Sequence, residues 1–248
     1  VVEDALLKMA ADGRRANAVY LDNQFTVIFS RKALQDELKE QGHYYSYAQI
    51  EEAIDVLYKT SIELYKKGED DSADKFHPIA AYGFRGQSGE KYTYVKFSPQ
   101  VTAAIENNSF RLVNYKKLMS YETTIARLLH KKLANSFVYA DIDQTYHFSS
   151  NSIYRDFGLK ETQLKVKVFY IKKALEELIE AKVVLNYEVK PVFDSARKNK
   201  LCDQVFDITA HRDFIDEIIK ANKDVKRRER ELNLRKYLPE ISGILPKK

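Results

Sequence analysis

Cysteine is nearly missing from this 248-residue chain. Cys202 stands alone, which excludes an internal disulfide framework and a multi-cysteine metal site. It is expected to be a small apolar filler in a strand, and a reduced, cytoplasmic setting fits. No run of about eighteen apolar residues occurs, so no helix is expected to cross a membrane. The short amphipathic stretch Val1–Ala11 carries Glu3 and Asp4 and lacks the pattern of a signal peptide. The chain starts at Val rather than Met, which leaves room for natural residues ahead of Val1.

Paired histidines are also missing. His43, His77, His130, His147 and His211 are scattered, with no HxH or HExxH spacing, and each is expected to be a surface or satisfied core histidine. The segment Gly83-Phe-Arg-Gly-Gln-Ser-Gly-Glu-Lys lacks the GxxxxGK[ST] spacing of a phosphate loop and is read as a turn. A rolling-circle nickase would need a metal-binding histidine pair beside a nucleophilic tyrosine. Tyr44, Tyr45 and Tyr47 are there, but the pair is not. No catalytic residue, metal or cofactor is expected.

What the chain has is charge: 31% of its residues are Asp, Glu, Lys or Arg, against the usual quarter, with 44% hydrophobic. The net charge of +5 is unevenly spread. Residues 1–108 hold 13 Lys/Arg against 17 Asp/Glu, residues 109–210 hold 17 against 12, and residues 211–248 hold 11 against 7. A basic portion behind an acidic one suggests a polyanionic partner for the former.

Local patterns place the elements. Phe25–Phe29 reads as a strand, and Ser30 as the cap of a helix from Arg31 to about Gln41, ended by Gly42. Ser46 opens a second helix with Ile50, Ala53, Ile54 and Leu57 on one face. Ser61–Lys66 reads as a strand, and His77–Phe84 and Lys91–Phe97 bracket the Gly86–Gly89 turn as a hairpin. The second half repeats this order. Ser120–Ala134 is read as a helix, Tyr146–Phe148 as a strand, and Asn151–Phe157 as a short helix before Gly158. Thr162–Ala181 is a long helix opened by Thr162. Val183–Val189 and Gln204–Ile208 are strands around the basic loop Asp194–Lys200, and a last helix runs from His211 to about Leu234. Helix, strand, helix, helix, strand, loop, strand is the order of a winged helix, and it occurs twice. The expected fold class is therefore α+β, two tandem winged-helix domains over 1–108 and 109–248.

In such a fold the long helix enters the major groove and the strand–loop–strand wing lies against the adjacent backbone. Lys160, Thr162, Gln163, Lys165, Lys167, Lys172 and Lys173 at the long helix, with Arg197, Lys198 and Lys200 in the loop, are the candidate DNA contacts. The equivalent helix of the first half, Tyr47–Lys59, carries Glu51, Glu52 and Asp55, which would repel phosphates. Tyr44, Tyr45, Tyr47, Gln49 and Gln41 leave some room for contact there. The first domain is expected to add auxiliary contacts or to dimerise through the edge offered by Phe76–Phe84 and Lys91–Phe97.

Over roughly Gln24–Thr209 the chain resembles the iteron-binding plasmid replication initiators. One likeness lies in Tyr94-Val-Lys-Phe-Ser-Pro with Phe110-Arg-Leu-Val-Asn-Tyr and the helix Thr123–Ala134. It is similar to the family's inter-domain passage of strand end, short helix and strand. The other, Tyr170-Ile-Lys-Lys-Ala-Leu-Glu-Glu-Leu, is similar to the family's recognition helix, although Val166, Val168 and Phe169 stand where arginines are usual. The resemblance implies a bacterial protein that binds direct repeats in double-stranded origin DNA, with host initiator and replicative helicase as further partners. It also implies a homodimer in equilibrium with a monomer. A transcriptional repressor on the same scaffold and a protein–protein scaffold without DNA are the alternatives.

Overall fold

The computed structural model describes residues 1–65, 73–85, 92–107, 109–194 and 200–237. The chain divides into two compact units, Val1–Phe110 and Arg111–Lys248. Both mix helices with antiparallel sheet.

Unit 1 begins with α1 (Val2–Asp12), which ends on Gly13 at φ 65, a left-handed conformation that glycine adopts without cost. Two strands follow, β1 (Ala16–Leu21) and β2 (Gln24–Ser30), joined by Asp22 and Asn23 at φ 51 and 59. That is the backbone of a tight two-residue hairpin, for which Asp and Asn are suited. β1 is not among the expected strands; it carries the apolar run Ala18–Leu21 but buries little besides Ala16. Ser30 caps α2 (Arg31–Glu40), its Oγ accepting from the Ala33 amide at 3.0 Å. Ser46 and Gln49 cap the start of α3 (Tyr47–Lys59) reciprocally. Ile50 and Ile54 form its buried stripe, and Ala53 and Leu57 sit at the margin.

β3 (Ile62–Tyr65) pairs with β4 (Ala73–Phe76), β5 (Ile79–Arg85) pairs with β6 (Tyr92–Phe97), and α4 (Pro99–Glu106) follows. The main sheet runs β1-β2-β6-β5. Of the two strands expected to offer a pairing edge, β5 is at the edge and β6 is enclosed. The Tyr94 ring lies across Gly83, so a Cβ there would come within 2.6 Å of it. Leu6, Met9, Phe29, Leu34, Leu38, Ile50, Ile54 and Val95 fill the interior.

Unit 2 runs α5 (Tyr115–Ser120), α6 (Thr124–Ser136), β7 (Thr145–Ser149), α7 (Ser150–Asp156), α8 (Leu164–Glu180), β8 (Val184–Asp194), β9 (Lys200–Ala210) and α9 (Arg212–Tyr237). Its sheet has the order β7-β9-β8, with the last strand in the centre. Unit 1 repeats that path as β2-β6-β5, each time with two helices following the first strand. The core joins Leu129 and Leu133 of α6, Ile171, Leu175 and Leu178 of α8, Phe148 and Phe206 of the sheet, and Phe214 of α9.

Several expectations need correction here. The helix expected over Ser120–Ala134 is α6, which starts only at Thr124 because Thr123 caps it, its Oγ1 accepting from the Ala126 amide at 3.2 Å, and Ser120 instead ends the separate α5. No strand forms between Phe110 and Asn114. The long helix is not opened by Thr162. It starts at Leu164, and the Glu161 carboxylate accepts instead from the Thr162 and Gln163 amides, each at 2.7 Å. β8 and β9 are longer than expected, since strand pairing continues through largely exposed residues, Val192, Phe193 and Leu201 among them, to Asp194 and Lys200. Cys202 lies in β9 but is exposed, its thiol directed at the Val192 carbonyl at 3.4 Å.

Candidate nucleic-acid interface

α7 and α8 form a helix pair whose geometry is fixed from outside. Ser149 and Ser152 cap α7 reciprocally. The Asp203 carboxylate, on β9, accepts from the Ser150 hydroxyl, from the Asn151 amide at 3.2 Å and from the Gln204 amide at 2.8 Å. Burial opposes its ionisation, but these donors, Ser150 first, hold Asp203 below the usual carboxylate range. Gly158 at φ 64 turns the chain after α7, where the Leu159 amide reaches back to the Tyr154 carbonyl at 2.8 Å. At the far end of α8, Glu177 accepts the backbone amides of Glu122 and Thr123 at 2.8 and 3.1 Å, joining α8 to the start of α6.

The face of α8 away from the core carries Lys165, Lys172 and Lys173 toward its first half and middle, with Glu176 and Glu180 toward its last turns. These three lysines are exposed, as are Lys160, Thr162 and Gln163 just ahead of the helix, and Lys173 lies 3.8 Å from the exposed Glu122. Lysines near a helix N-terminus oppose the helix dipole, so their placement adds no helix stability and favours an anion nearby. Lys167 is different. Its Nζ donates to Asn151 Oδ1 at 2.9 Å and lies 5.6 Å from the centre of the Tyr154 ring, so the charge is spent on packing α8 to α7. Lys200 is exposed and begins β9 opposite Asp194, rather than lying in the loop. Arg197 and Lys198 lie outside the described residues.

The helix and the strand–loop–strand are physically linked. Asn151 accepts from Lys167 and donates through Nδ2 to the Cys202 carbonyl at 3.2 Å, two residues from Lys200. One asparagine thus ties together α8, α7 and the base of the loop. The sequence names Asn151 only as the start of a short helix; its partners are 16 and 51 residues away.

In unit 1, the acidic look of α3 is partly neutralised. Glu51 is paired with Arg31, and Asp55 with Lys59 at 2.6 Å and with the Tyr82 hydroxyl at 3.0 Å. Arg31 also lies over the rings of Tyr47 and Phe84 at 5.4 and 5.6 Å. The repulsion expected from Glu51, Glu52 and Asp55 therefore rests mainly on exposed Glu52.

One histidine, His147, does sit in a notable cluster. His147 Nδ1 is 2.5 Å from Asp207, and its Nε2 is 3.1 Å from the Thr145 hydroxyl, the order of acid, base and nucleophile. Lys190 Nζ shares the same carboxylate at 2.5 Å and is the main cause of Asp207's lowered pKa, with His147 second. Thr145 and His147 are exposed on an open sheet, where water screens both. The cluster reads as a cross-strand ion pair. Among the described residues no group of three His, Cys, Asp or Glu side chains could hold a metal, and no helix is long and apolar enough to cross a membrane.

Among known proteins, no family model matches the chain and no curated protein does. Solved structures do match. The chain is similar to the Pi initiator protein, whose crystal structure was determined in complex with iteron DNA. The identity is 12%, the match covers 86% of this chain and 92% of that one, and the TM-score is 0.54. The likeness is one of fold.

Proposed function

We propose that the protein is a replication initiator that binds repeated sites in double-stranded DNA through two tandem winged-helix domains. α8 would enter the major groove, and the β8–β9 loop with Arg197 and Lys198, together with Lys200 at the start of β9, would lie on neighbouring phosphates. The carrying observation is the exposed cationic face of α8, set in a fold similar to that of an initiator solved on iteron DNA. Phosphate contacts by Lys160, Lys165, Lys172 and Lys173 would supply salt-dependent affinity, and Thr162 and Gln163 would reach base edges. The reading includes no catalytic step of its own. Opening of the duplex, recruitment of host initiator and helicase, and a monomer–dimer equilibrium belong to the same proposal.

The test begins with duplexes selected by the full chain from a randomised pool. The selected site is then presented singly, as direct repeats about two turns apart, and as an inverted pair. An initiator is expected to fill direct repeats and to make nearby thymines reactive to permanganate. Preference for the inverted pair without such opening would favour a repressor. No enrichment of any duplex at low salt would overturn the DNA reading.

A further inference from the structure

The middle of the α8 face holds a residue that phosphate binding does not explain. Phe169 is 63% exposed, although burying such a side chain is among the stronger driving forces of folding. It lies two residues from fully buried Ile171, which at 3.6 residues per turn sets it about 160° around the helix from the core-facing line. Lys165 is one turn before it, and Lys172 and Lys173 are one turn after. The ring of Tyr170, itself 47% exposed, stands edge-on to it at 5.4 Å and limits its freedom.

A lone exposed Phe would mean little. This one occupies the centre of the surface that, on the reading above, faces the groove floor. The floor of the major groove is a row of hydrogen-bond donors and acceptors, with one apolar group among them, the C5-methyl of thymine. A phenyl ring pressed against an amine or a carbonyl would strip its water and return nothing. Against a methyl it loses nothing and buries apolar surface from both sides. We propose that Phe169 is a specificity-determining residue that reads the methyl group of thymine, with Lys165, Lys172 and Lys173 holding the flanking phosphates. The preferred site then carries a thymine opposite the middle of α8.

The proposal rests on the DNA-binding reading, and the experiment separates the two. A duplex selected by the full chain is resynthesised with deoxyuridine replacing each thymine in turn, which removes only the methyl. Binding is followed by fluorescence anisotropy for the wild-type chain and for Phe169→Ala, whose fold is checked by circular dichroism. One or two positions should weaken the wild type about fourfold, the factor for one buried carbon group. The variant should bind the parent duplex on the order of tenfold more weakly. At those same positions it should be indifferent to uracil. A duplex that is bound with no methyl-sensitive position, or with equal sensitivity in the variant, overturns the role of Phe169 and leaves DNA binding standing. Failure to select any duplex would remove both.

Discussion

Lys167 Nζ sits 2.9 Å from Asn151 Oδ1, while the other atom of that amide reaches the Cys202 carbonyl at 3.2 Å. A lysine that looks like one more groove contact is thus a strut between α8 and α7. Replacing Lys167 by Ala should cost about 0.5–1 kcal/mol of stability, the scale of one partly screened hydrogen bond and ring contact. The slope of log affinity against log salt should not change. A fall of about 0.9 in that slope would place Lys167 on a phosphate after all.

Asn151 makes the complementary case. Removing its side chain by Asn151→Ala leaves the fold of α7 capped by Ser149, yet releases the base of the β8–β9 loop from α8. Affinity for a selected duplex should fall several-fold even though Asn151 is not counted among the DNA contacts. Amide exchange at residues 200–203 should rise with it. Unchanged affinity and exchange would mean the loop is positioned by the sheet alone.

Glu177 closes the other end of the helix pair. Its carboxylate accepts two backbone amides at the start of α6, those of Glu122 and Thr123. Glu177→Ala should destabilise the protein by about 1–2 kcal/mol, in the range of a missing helix cap. Chemical denaturation measures this. A change under a few tenths would show that water replaces the carboxylate freely.

His130 contributes to the loss of stability on the mildly acid side. It is 1% exposed, with Nδ1 2.9 Å from the Tyr121 hydroxyl, and burial, helped by Lys117, pushes its pKa down to about 3. An unfolded chain has this group near 6.5. The unfolded state therefore takes up a proton that the folded state refuses as pH drops through 6.5. Stability is whole above that value and is lost on the way down. Between pH 7 and 5 this one residue should remove about 2 kcal/mol. His130→Gln should start less stable but decline less steeply with pH, as followed by urea midpoints. Parallel declines would contradict this assignment.

Much of the frame was legible because it is local. Ser30, Ser46 and Gly158 announce helix ends by chemistry that acts within three residues, and the structure uses each as expected. The exposed lysines of α8 were legible for the same reason, since helical period alone separates them from Ile171, Leu175 and Leu178. What escaped depends on distant partners. Lys167 differs from Lys165 only through Asn151 and Tyr154. The apolar run of β1, Ala18–Leu21, mostly faces outward and so follows no burial alternation, and the outer halves of β8 and β9 are held by backbone pairing between largely exposed residues. The acidity of α3 was overstated because Arg31, which pairs with Glu51, comes from the preceding helix.

The central claim is that the outer face of α8 meets the phosphates of duplex DNA. Its most direct test is the affinity of the full chain for a selected duplex across a series of salt concentrations. The wild type is compared with a chain carrying Lys165→Gln, Lys172→Gln and Lys173→Gln. All three positions are exposed, so the fold should survive. The slope of log affinity against log salt should fall by up to about 2.7, from about 0.9 for each phosphate that is no longer neutralised. A triple variant with the wild-type slope and affinity would contradict the account.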